Sequence, residues 1–182
     1  INLKTLKEIQ NLVSQEYFKD TDTPWIIAYS GGKDSTLLLN LVLGEIIKKN
    51  LNYIKRKIYI VSNDTLVESP LIKEHLYASI EKINKFCQNE NLPILTHITK
   101  PEFNKSFWVN LIGRGYPSPK NNFRWCTDRL KIEPTSNYIL NKIQENGEVI
   151  LLLGVRKAES PTRAKTIKDN QNENEIYDNH KE

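Results

Sequence analysis

The chain has 182 residues, of which 38% are hydrophobic and 26% are charged, and it carries a formal net charge of +4. This length suits one domain with a buried core, and no apolar run reaches the roughly 18 residues that a membrane span needs. Its two cysteines, Cys87 and Cys126, are too few for a disulfide framework and too far apart for a metal knuckle. Composition therefore predicts a cytoplasmic protein with reduced thiols and no membrane partner.

The positive charge is concentrated in the second half of the chain, which holds five of the six arginines, at positions 114, 124, 129, 156 and 163. Arginine binds phosphate oxygens through a planar pair of donors, so this half is biased toward a phosphate-rich partner. A generally lysine-rich composition would give a similar net charge, and charge alone does not separate the two explanations. The chain contains no methionine, which indicates an N-terminal fragment or an incomplete chain.

Helix and strand patterns alternate along residues 1–167, which predicts one α/β domain with a mostly parallel sheet of about five strands and helices on both faces. Apolar residues at helical spacing indicate the helices, and short apolar runs indicate strands that are buried on both faces. The sequence predicts helices over residues 1–19, 34–49, 70–89 and 131–146. The predicted strands alternate with them, over residues 25–29, 57–62, 94–98 and 149–153.

Turn residues mark the ends of several elements. Pro70 suits the first turn of the third helix, and Gly147 suits the position that follows the fourth. Between residues 101 and 129 the periodic pattern gives way to a long loop, and loops of that length in compact domains usually have a function. Residues 168–182 are predicted to form a polar, mobile tail or a truncated segment.

The segment SGGKDS, at residues 30–35, joins the first strand to the second helix. Gly31 and Gly32 allow backbone conformations that a side chain would forbid, and they let main-chain N–H groups close on an anion. The helix that follows points its unpaired N–H groups and the positive end of its dipole at the same place. This arrangement predicts a phosphate-binding loop, and the alternative is an ordinary helix cap.

The side chains of this loop suit a nucleotide phosphate. The hydroxyls of Ser30 and Ser35 can donate hydrogen bonds, and Lys33 supplies a positive charge. Asp34 would repel a bare phosphate, so we expect it to hold a Mg²⁺ ion that bridges to the nucleotide. On the alternative interpretation, the lysine and the aspartate are merely solvated.

The hexamer resembles the PP-loop superfamily of ATP pyrophosphatases, which includes PAPS reductases and tRNA thiolation enzymes. The resemblance implies an adenine-nucleotide α-hydrolase fold and cleavage of ATP between its α- and β-phosphates. It also implies that all six residues of the loop contact the nucleotide, namely Ser30, Gly31, Gly32, Lys33, Asp34 and Ser35.

Three further blocks, at residues 106–117, 123–134 and 153–163, together resemble the DndC family of bacterial DNA phosphorothioation systems. The resemblance covers about residues 24–165 and implies an ATP-dependent sulfurtransferase that replaces a non-bridging oxygen of the DNA backbone with sulfur. The implied partners are DNA, a cysteine desulfurase as sulfur donor, and other subunits of a phosphorothioation complex. The family is described with an iron–sulfur cluster, which needs about four thiolates, and only two cysteines are present here. Either the cluster ligands lie outside these 182 residues, or this protein lacks a cluster.

The second block contains a candidate nucleophile. Cys126 lies between Arg124 and further cations, and nearby cations favour the thiolate form. It could therefore carry sulfur or attack an activated phosphate, with Arg124 binding a phosphate. The alternative for Cys126 is a small buried side chain at the start of a helix.

Two other pairs of residues follow predicted strands. Asn63 and Asp64 end the second strand, where open α/β sheets bind ligands, and they are candidates for adenine or ribose. Arg156 and Arg163 follow the last strand and could clamp a phosphate of ATP or of the acceptor. The alternatives are a turn and a solvated loop. The predicted catalytic set is Lys33, Asp34, Ser35, Arg124, Cys126 and Arg156.

Aromatic residues of the long loop leave a question open. Trp108, Tyr116 and Trp125 could stack on bases, although packing within the protein is the more common role of such residues. Three rival functions also remain open: a PAPS reductase-like enzyme acting on a small sulfonucleotide, a tRNA thiolation enzyme, and a nucleotide-binding subunit that has lost catalysis.

Overall fold

The computed structural model describes residues 3–19, 21–48, 56–120 and 123–156. The α-helices are α1 (Leu3–Tyr17), α2 (Lys33–Lys48), α3 (Pro70–Asn89), a single turn α4 (Trp125–Thr127) and α5 (Glu133–Asn146). The strands are β1 (Trp25–Ala28), β2 (Ile58–Asn63), β3 (Ile94–Thr99) and β4 (Ile150–Leu152). None of the described helices combines the length and the apolar character that crossing a bilayer requires.

The four described strands form one parallel sheet in the order β3-β2-β1-β4. In register, Trp25 of β1 pairs with Ile58 of β2 on one side and with Ile150 of β4 on the other. The parallel α/β architecture is confirmed, but the described residues contribute four strands where about five were expected. No segment of the sequence had been assigned to a fifth strand. Within the described sheet, β4 is an edge strand of three residues.

The central strand β1 is buried on both faces, because helices cover the sheet on either side. Trp25 and Ile27 belong to a core that includes side chains of α1, α2 and α3. Ile26 points to the opposite face and belongs to a smaller core that α5 covers with Tyr138 and Ile139. The continuous apolar run of β1 is thus explained, since a strand covered on both faces has no solvent side.

The predicted helix boundaries at proline and glycine are confirmed. Pro70 occupies the first turn of α3, and the side chain of Ser69 caps this helix by accepting a hydrogen bond from Ile72 N at 3.4 Å. Gly147 follows α5 with a φ of 84°, a left-handed conformation that favours glycine. The predicted tail at residues 168–182 lies outside the described residues, and the boundary at residue 167 stays a prediction.

A buried arginine joins α1 to the start of β2. The Tyr17 hydroxyl donates to the Arg56 carbonyl oxygen at 3.1 Å, and Arg56 Nε donates to the Thr21 carbonyl oxygen at 3.0 Å. The guanidinium carbon lies 5.9 Å from the centroid of the Tyr17 ring and 5.8 Å from that of Trp25. Burial raises the pKa of Tyr17 to about 12, and the positive charge of Arg56 opposes that rise.

The raised pKa of Tyr17 predicts a stability difference that depends on pH. Below pH 10 the phenol is neutral in both states, and Tyr17→Phe should lower the free energy of unfolding by about 1 kcal/mol through its lost hydrogen bond. Between pH 10 and 12 the unfolded phenol ionises first, so the wild type should lose about 1–2 kcal/mol relative to the variant. Urea unfolding at pH 8 to 12 measures this, and a constant difference would contradict it.

Candidate functional site

The loop at residues 30–35 closes on itself through its two serines. Ser30 N donates to Ser35 Oγ at 3.2 Å, and Ser35 Oγ donates to the Gly32 carbonyl oxygen at 3.0 Å. Gly31 has a φ of 75°, a backbone conformation that favours glycine, which confirms the prediction for this position. The helix α3 lies alongside the loop, because a Cβ built on Gly31 would lie 3.6 Å from Cδ2 of His75, a residue of α3. The hydroxyl of Ser35 therefore shapes the loop from a buried position.

The loop leads directly into the first turn of α2. Thr36 N donates to the Gly32 carbonyl oxygen at 3.0 Å, which is the first helical hydrogen bond of this turn. The amides at the start of a helix have no partner within it, and they carry the positive end of the helix dipole. Lys33 is exposed beside them. The arrangement suits a bound anion at the carboxyl end of β1.

An ion pair links this loop to the end of the sheet's edge strand. Arg156 Nε donates to Asp34 Oδ2 at 2.9 Å, although the two residues are 122 positions apart. The parallel pairing of β1 with β4 places their carboxyl ends side by side. The side chains are 48% and 27% exposed, so the pair contributes only about 0–1 kcal/mol to stability. Its main consequence is to hold both charges at the anion site.

Gly154 is packed against the backbone of the loop, and sequence reasoning had missed this role. A Cβ at this position would lie 2.7 Å from the Asp34 carbonyl oxygen and 3.1 Å from Ser35 N. Both are backbone atoms that cannot move aside as a flexible side chain would. The chain that leaves β4 can therefore approach the start of α2 only because residue 154 has no side chain. A glycine immediately after the predicted strand at residues 149–153 was the available signal.

Asn63 occupies the predicted position at the end of β2, but its amide nitrogen is used within the protein. Asn63 Nδ2 lies 2.7 Å from Thr99 Oγ1, 2.6 Å from Thr135 Oγ1 and 3.2 Å from the Lys131 carbonyl oxygen. It thereby ties β2, β3 and the start of α5 together. A contact of Asn63 with adenine or ribose stays a prediction.

Asp64 is also engaged within the protein. Its side chain is 2% exposed, its Oδ2 accepts from the Tyr77 hydroxyl at 2.8 Å, and its Oδ1 accepts from Leu66 N at 3.0 Å. These bonds hold the turn after β2 against α3. The structure therefore gives Asp64 a structural role, and its predicted contact with the nucleotide stays a prediction.

Arg124 and Cys126 flank a tryptophan that is packed inside the protein. The Trp125 ring stacks on Phe107 with 5.3 Å between centroids, and its Nε1 donates to the Pro117 carbonyl oxygen at 3.0 Å. Arg124 is exposed, and Cys126 is half-buried with a free thiol. Within the described ranges, no hydrogen bond or ion pair joins either residue to the 30–35 loop.

The long loop contains structure that no sequence pattern announced. Asn110 is fully buried, and its Nδ2 donates to the carbonyl oxygens of Lys105 and Ser106 at 2.8 and 2.9 Å. Two π-helical turns, Val109–Gly113 and Asp128–Ile132, follow one another along this part of the chain. Such turns are uncommon and frequently lie at functional sites. They support the expectation that this segment has a function.

The donor atoms of the described residues bear differently on the two expected cofactors. Among these residues, no three or more His, Cys, Asp or Glu side chains are grouped as a metal site. The single carboxylate of Asp34 is enough for Mg²⁺, because this ion commonly takes one or two carboxylates and completes its shell with phosphates and water. The cysteines do not suit a four-iron cluster, because Cys87 lies in the core, where burial raises the pKa of its thiol, and Cys126 is the only other one.

Arg163, which was predicted to clamp a phosphate together with Arg156, lies outside the described residues.

Comparisons with known proteins agree with this geometry. The family model of the phosphoadenosine phosphosulfate reductase domain matches residues 24–176. An uncharacterised protein of Methanocaldococcus jannaschii is 26% identical over 141 residues, which are 78% of this chain and 24% of that protein. The U34-tRNA thiolase NcsA from Methanococcus maripaludis, solved with its 4Fe–4S cluster, aligns over 96% of this chain and 52% of its own at a TM-score of 0.51 and 13% identity. The likeness to the thiolase shows a shared fold. This chain spans about a quarter of the length of the Methanocaldococcus protein and about half of the length of the thiolase.

Gly154→Ala should destabilise the protein, because the new methyl group would collide with the backbone at Asp34. We expect the free energy of unfolding to fall by about 1–3 kcal/mol in urea titrations. Gly44→Ala is the matched control, since a Cβ at Gly44, within α2, meets nothing within 4 Å. That variant should be about 0.5–1 kcal/mol more stable than the wild type, because alanine favours a helix interior. Equal effects at the two glycines would argue against the close approach.

Proposed function

Because the chain belongs to the phosphoadenosine phosphosulfate reductase domain family, we propose that it is an ATP pyrophosphatase that activates a DNA backbone phosphate for replacement of an oxygen by sulfur. The observation that carries the proposal is the 30–35 loop, where a helix N-terminus, Lys33 and the Asp34–Arg156 pair meet at the carboxyl edge of a parallel sheet. The resemblance of the later blocks to the DndC family supplies the acceptor.

The proposed binding mode follows from the charges at the loop. The β- and γ-phosphates of ATP lie against the first amides of α2, and the ammonium of Lys33 offsets their charge. Asp34 holds Mg²⁺, which when bound would neutralise the phosphate oxygens further. When Mg²⁺ and ATP bind, Arg156 releases the carboxylate of Asp34 and binds a phosphate group instead, through two parallel N–H···O hydrogen bonds.

The proposed reaction has two stages. An oxygen of the DNA phosphate attacks the α-phosphorus of ATP, the bond to the β-phosphate oxygen breaks, and pyrophosphate leaves. A persulfide sulfur then attacks the activated DNA phosphorus, and AMP leaves with the original oxygen. A thiol of an external reductant cleaves the S–S bond, which forms a disulfide with the carrier cysteine and leaves the sulfur on the backbone. Arg124 binds the acceptor phosphate, and Cys126 is the candidate carrier of the persulfide. Positioning and charge supply most of the acceleration.

The partners of the proposed reaction are DNA, a cysteine desulfurase that donates the sulfur, and other subunits of a phosphorothioation complex. The direct test is mass spectrometry of genomic DNA from the source, with and without the gene. Phosphorothioate dinucleotides that disappear with the gene support the proposal. Tight ATP binding with no pyrophosphate release, even with DNA and partners present, would indicate a subunit without catalysis.

A second candidate is reduction of a sulfonucleotide, which the family match itself favours. The same loop could hold a phosphate of phosphoadenosine phosphosulfate, and no ATP would be consumed. Sulfite release from that nucleotide with a thiol reductant, and without ATP, would decide for this candidate.

Lys33→Ala should abolish pyrophosphate release from ATP, because the variant loses the positive charge beside the helix N-terminus. A coupled pyrophosphate assay in the presence of DNA measures this. Lys82→Ala, at an exposed position of α3, changes net charge by the same amount and should retain full activity. Activity retained by the Lys33 variant would contradict the assignment of the loop.

Asp34→Asn should raise the Mg²⁺ concentration that gives half-maximal pyrophosphate release, since a neutral amide is a weaker ligand than a carboxylate. We expect a shift of roughly tenfold or more, corresponding to about 1.4 kcal/mol of binding free energy. Asp22→Asn is the control, because Asp22 is exposed and precedes β1. An unchanged Mg²⁺ dependence in the Asp34 variant would remove this residue from the metal site.

A further inference from the structure

The segment at residues 103–127 is unlike the rest of the chain in composition. It contains four cationic residues and no acidic residue, and it holds six of the sixteen aromatic residues. Four of its large apolar side chains are exposed, among them Trp108 at 57% and Ile112, four positions later, at 75%. The proposed function uses only Arg124 and Cys126 of this segment, so the exposed tryptophan is left without a role.

The exposed ring of Trp108 is held in place by a chain of aromatic contacts. Its centroid lies 5.1 Å from that of Phe107, which contacts it edge to face. Phe107 in turn stacks on Trp125, and Trp125 contacts Tyr116 edge to face at 5.4 Å. Arg129 closes the chain with its guanidinium carbon 5.4 Å from the centroid of the Tyr116 ring. Trp108 is therefore an exposed ring supported from beneath, two ring contacts away from the segment that carries Arg124 and Cys126.

The cations of this segment are largely uncompensated. Lys105 is neutralised by Glu133, at 2.5 Å. By contrast, over the described stretches of the chain, no carboxylate pairs with Arg114, Lys120 or Arg124. Arg114 is oriented by a hydrogen bond from its Nη1 to Asn110 Oδ1 at 3.3 Å. We name Trp108, Ile112, Arg114 and Arg124 the Trp108 surface.

A pre-oriented aromatic ring in a segment with uncompensated cations matches the chemistry of an unpaired nucleotide. Bases of a single strand stack on exposed aromatic side chains, and their phosphates bind lysine and arginine. In a duplex the faces of the bases are covered by their neighbours, so a flat exposed ring gains nothing there. An acidic protein partner would satisfy the cations but would give the ring no planar partner.

We infer that the Trp108 surface binds an unpaired nucleotide of the acceptor strand, with Trp108 stacked on its base and the arginines on the flanking phosphates. The inference rests on the proposed function, because that function makes a nucleic-acid backbone the acceptor. It adds that the strand is single-stranded where it meets this protein. The shared chemistry of DNA and RNA is an unpaired base between two phosphates.

The test is equilibrium binding of short fluorescent oligonucleotides to the full chain without ATP, which makes it independent of the 30–35 loop. Four probes are compared: single-stranded DNA, the same strand with abasic sites, its duplex, and single-stranded RNA of the same sequence. Trp108→Ala should weaken binding of the single strands roughly fivefold to a hundredfold. It should leave the abasic strand and the duplex unaffected, and the salt dependence unchanged, because no charge is removed.

Three variants calibrate the measurement. Trp108→Phe should recover part of the affinity, because a smaller ring can still stack. Leu12→Ala, at a 64% exposed position of α1, should have no effect. Arg114→Gln, which removes one charge of the Trp108 surface, should weaken all four probes and reduce the slope of log affinity against log salt by about 0.7 for the single strands.

The inference is overturned if Trp108→Ala weakens the abasic strand or the duplex as much as the intact strand, or if it has no effect. It is also overturned if the wild type binds none of the probes. A preference for RNA over DNA would support the surface while contradicting the DNA part of the proposed function. Conversely, failure of the pyrophosphate test at Lys33 would leave this measurement standing.

Discussion

Parallel pairing of β1 between β2 and β4 is the constraint on which the rest of the structure depends. Because all four described strands run in one direction, their carboxyl ends meet at one edge of the sheet. The 30–35 loop, Asn63 and Arg156 each lie at or just after one of these ends. The burial of Trp25, Ile26 and Ile27 fixes the direction of β1 and its register in the sheet. It thereby fixes where the 30–35 loop emerges and where α2 begins.

The anion site is built largely from backbone, with a few side chains that adjust it. Ser30 and Ser35 hold the loop closed, Gly31 supplies its left-handed conformation, and Gly154 lets a neighbouring segment pack on the helix start. A backbone site of this kind is pre-organised, since its donors are fixed by the fold and lose little entropy when a ligand binds. The Asp34–Arg156 pair is the adjustable component, because both side chains are partly exposed.

Sequence patterns were sufficient for the architecture and for the loop. The apolar runs located all four described strands, although only β1 and β2 are buried along their length as expected. Pro70 and Gly147 marked helix ends, and the hexamer gave the strand-to-helix junction. These features are local, so a few neighbouring residues determine them. The expected fifth strand had no segment behind it, and the described sheet has four.

Long-range contacts were beyond the reach of the same reasoning. Nothing local indicates that Asn63 would bond to Thr99 and Thr135, or that Arg156 would meet Asp34. The aromatic residues show the difficulty most clearly, because Trp108 and Trp125 are chemically alike and both lie in the segment without a periodic pattern. Only the packing of Phe107 against Trp125 decides that one ring is internal and the other is exposed.

The brevity of β4 has a consequence for local stability. This strand has three residues, none of them fully buried, and in the described sheet it is paired on one side only. Elements with few buried contacts open at a lower free energy than the core, so β4 should exchange its amide hydrogens sooner than β1 or β2. Such an opening would carry Gly154 and Arg156 away from the loop while the other three strands stay paired. The side of the anion site that Gly154 and Arg156 form therefore follows the strand whose local opening does not require global unfolding.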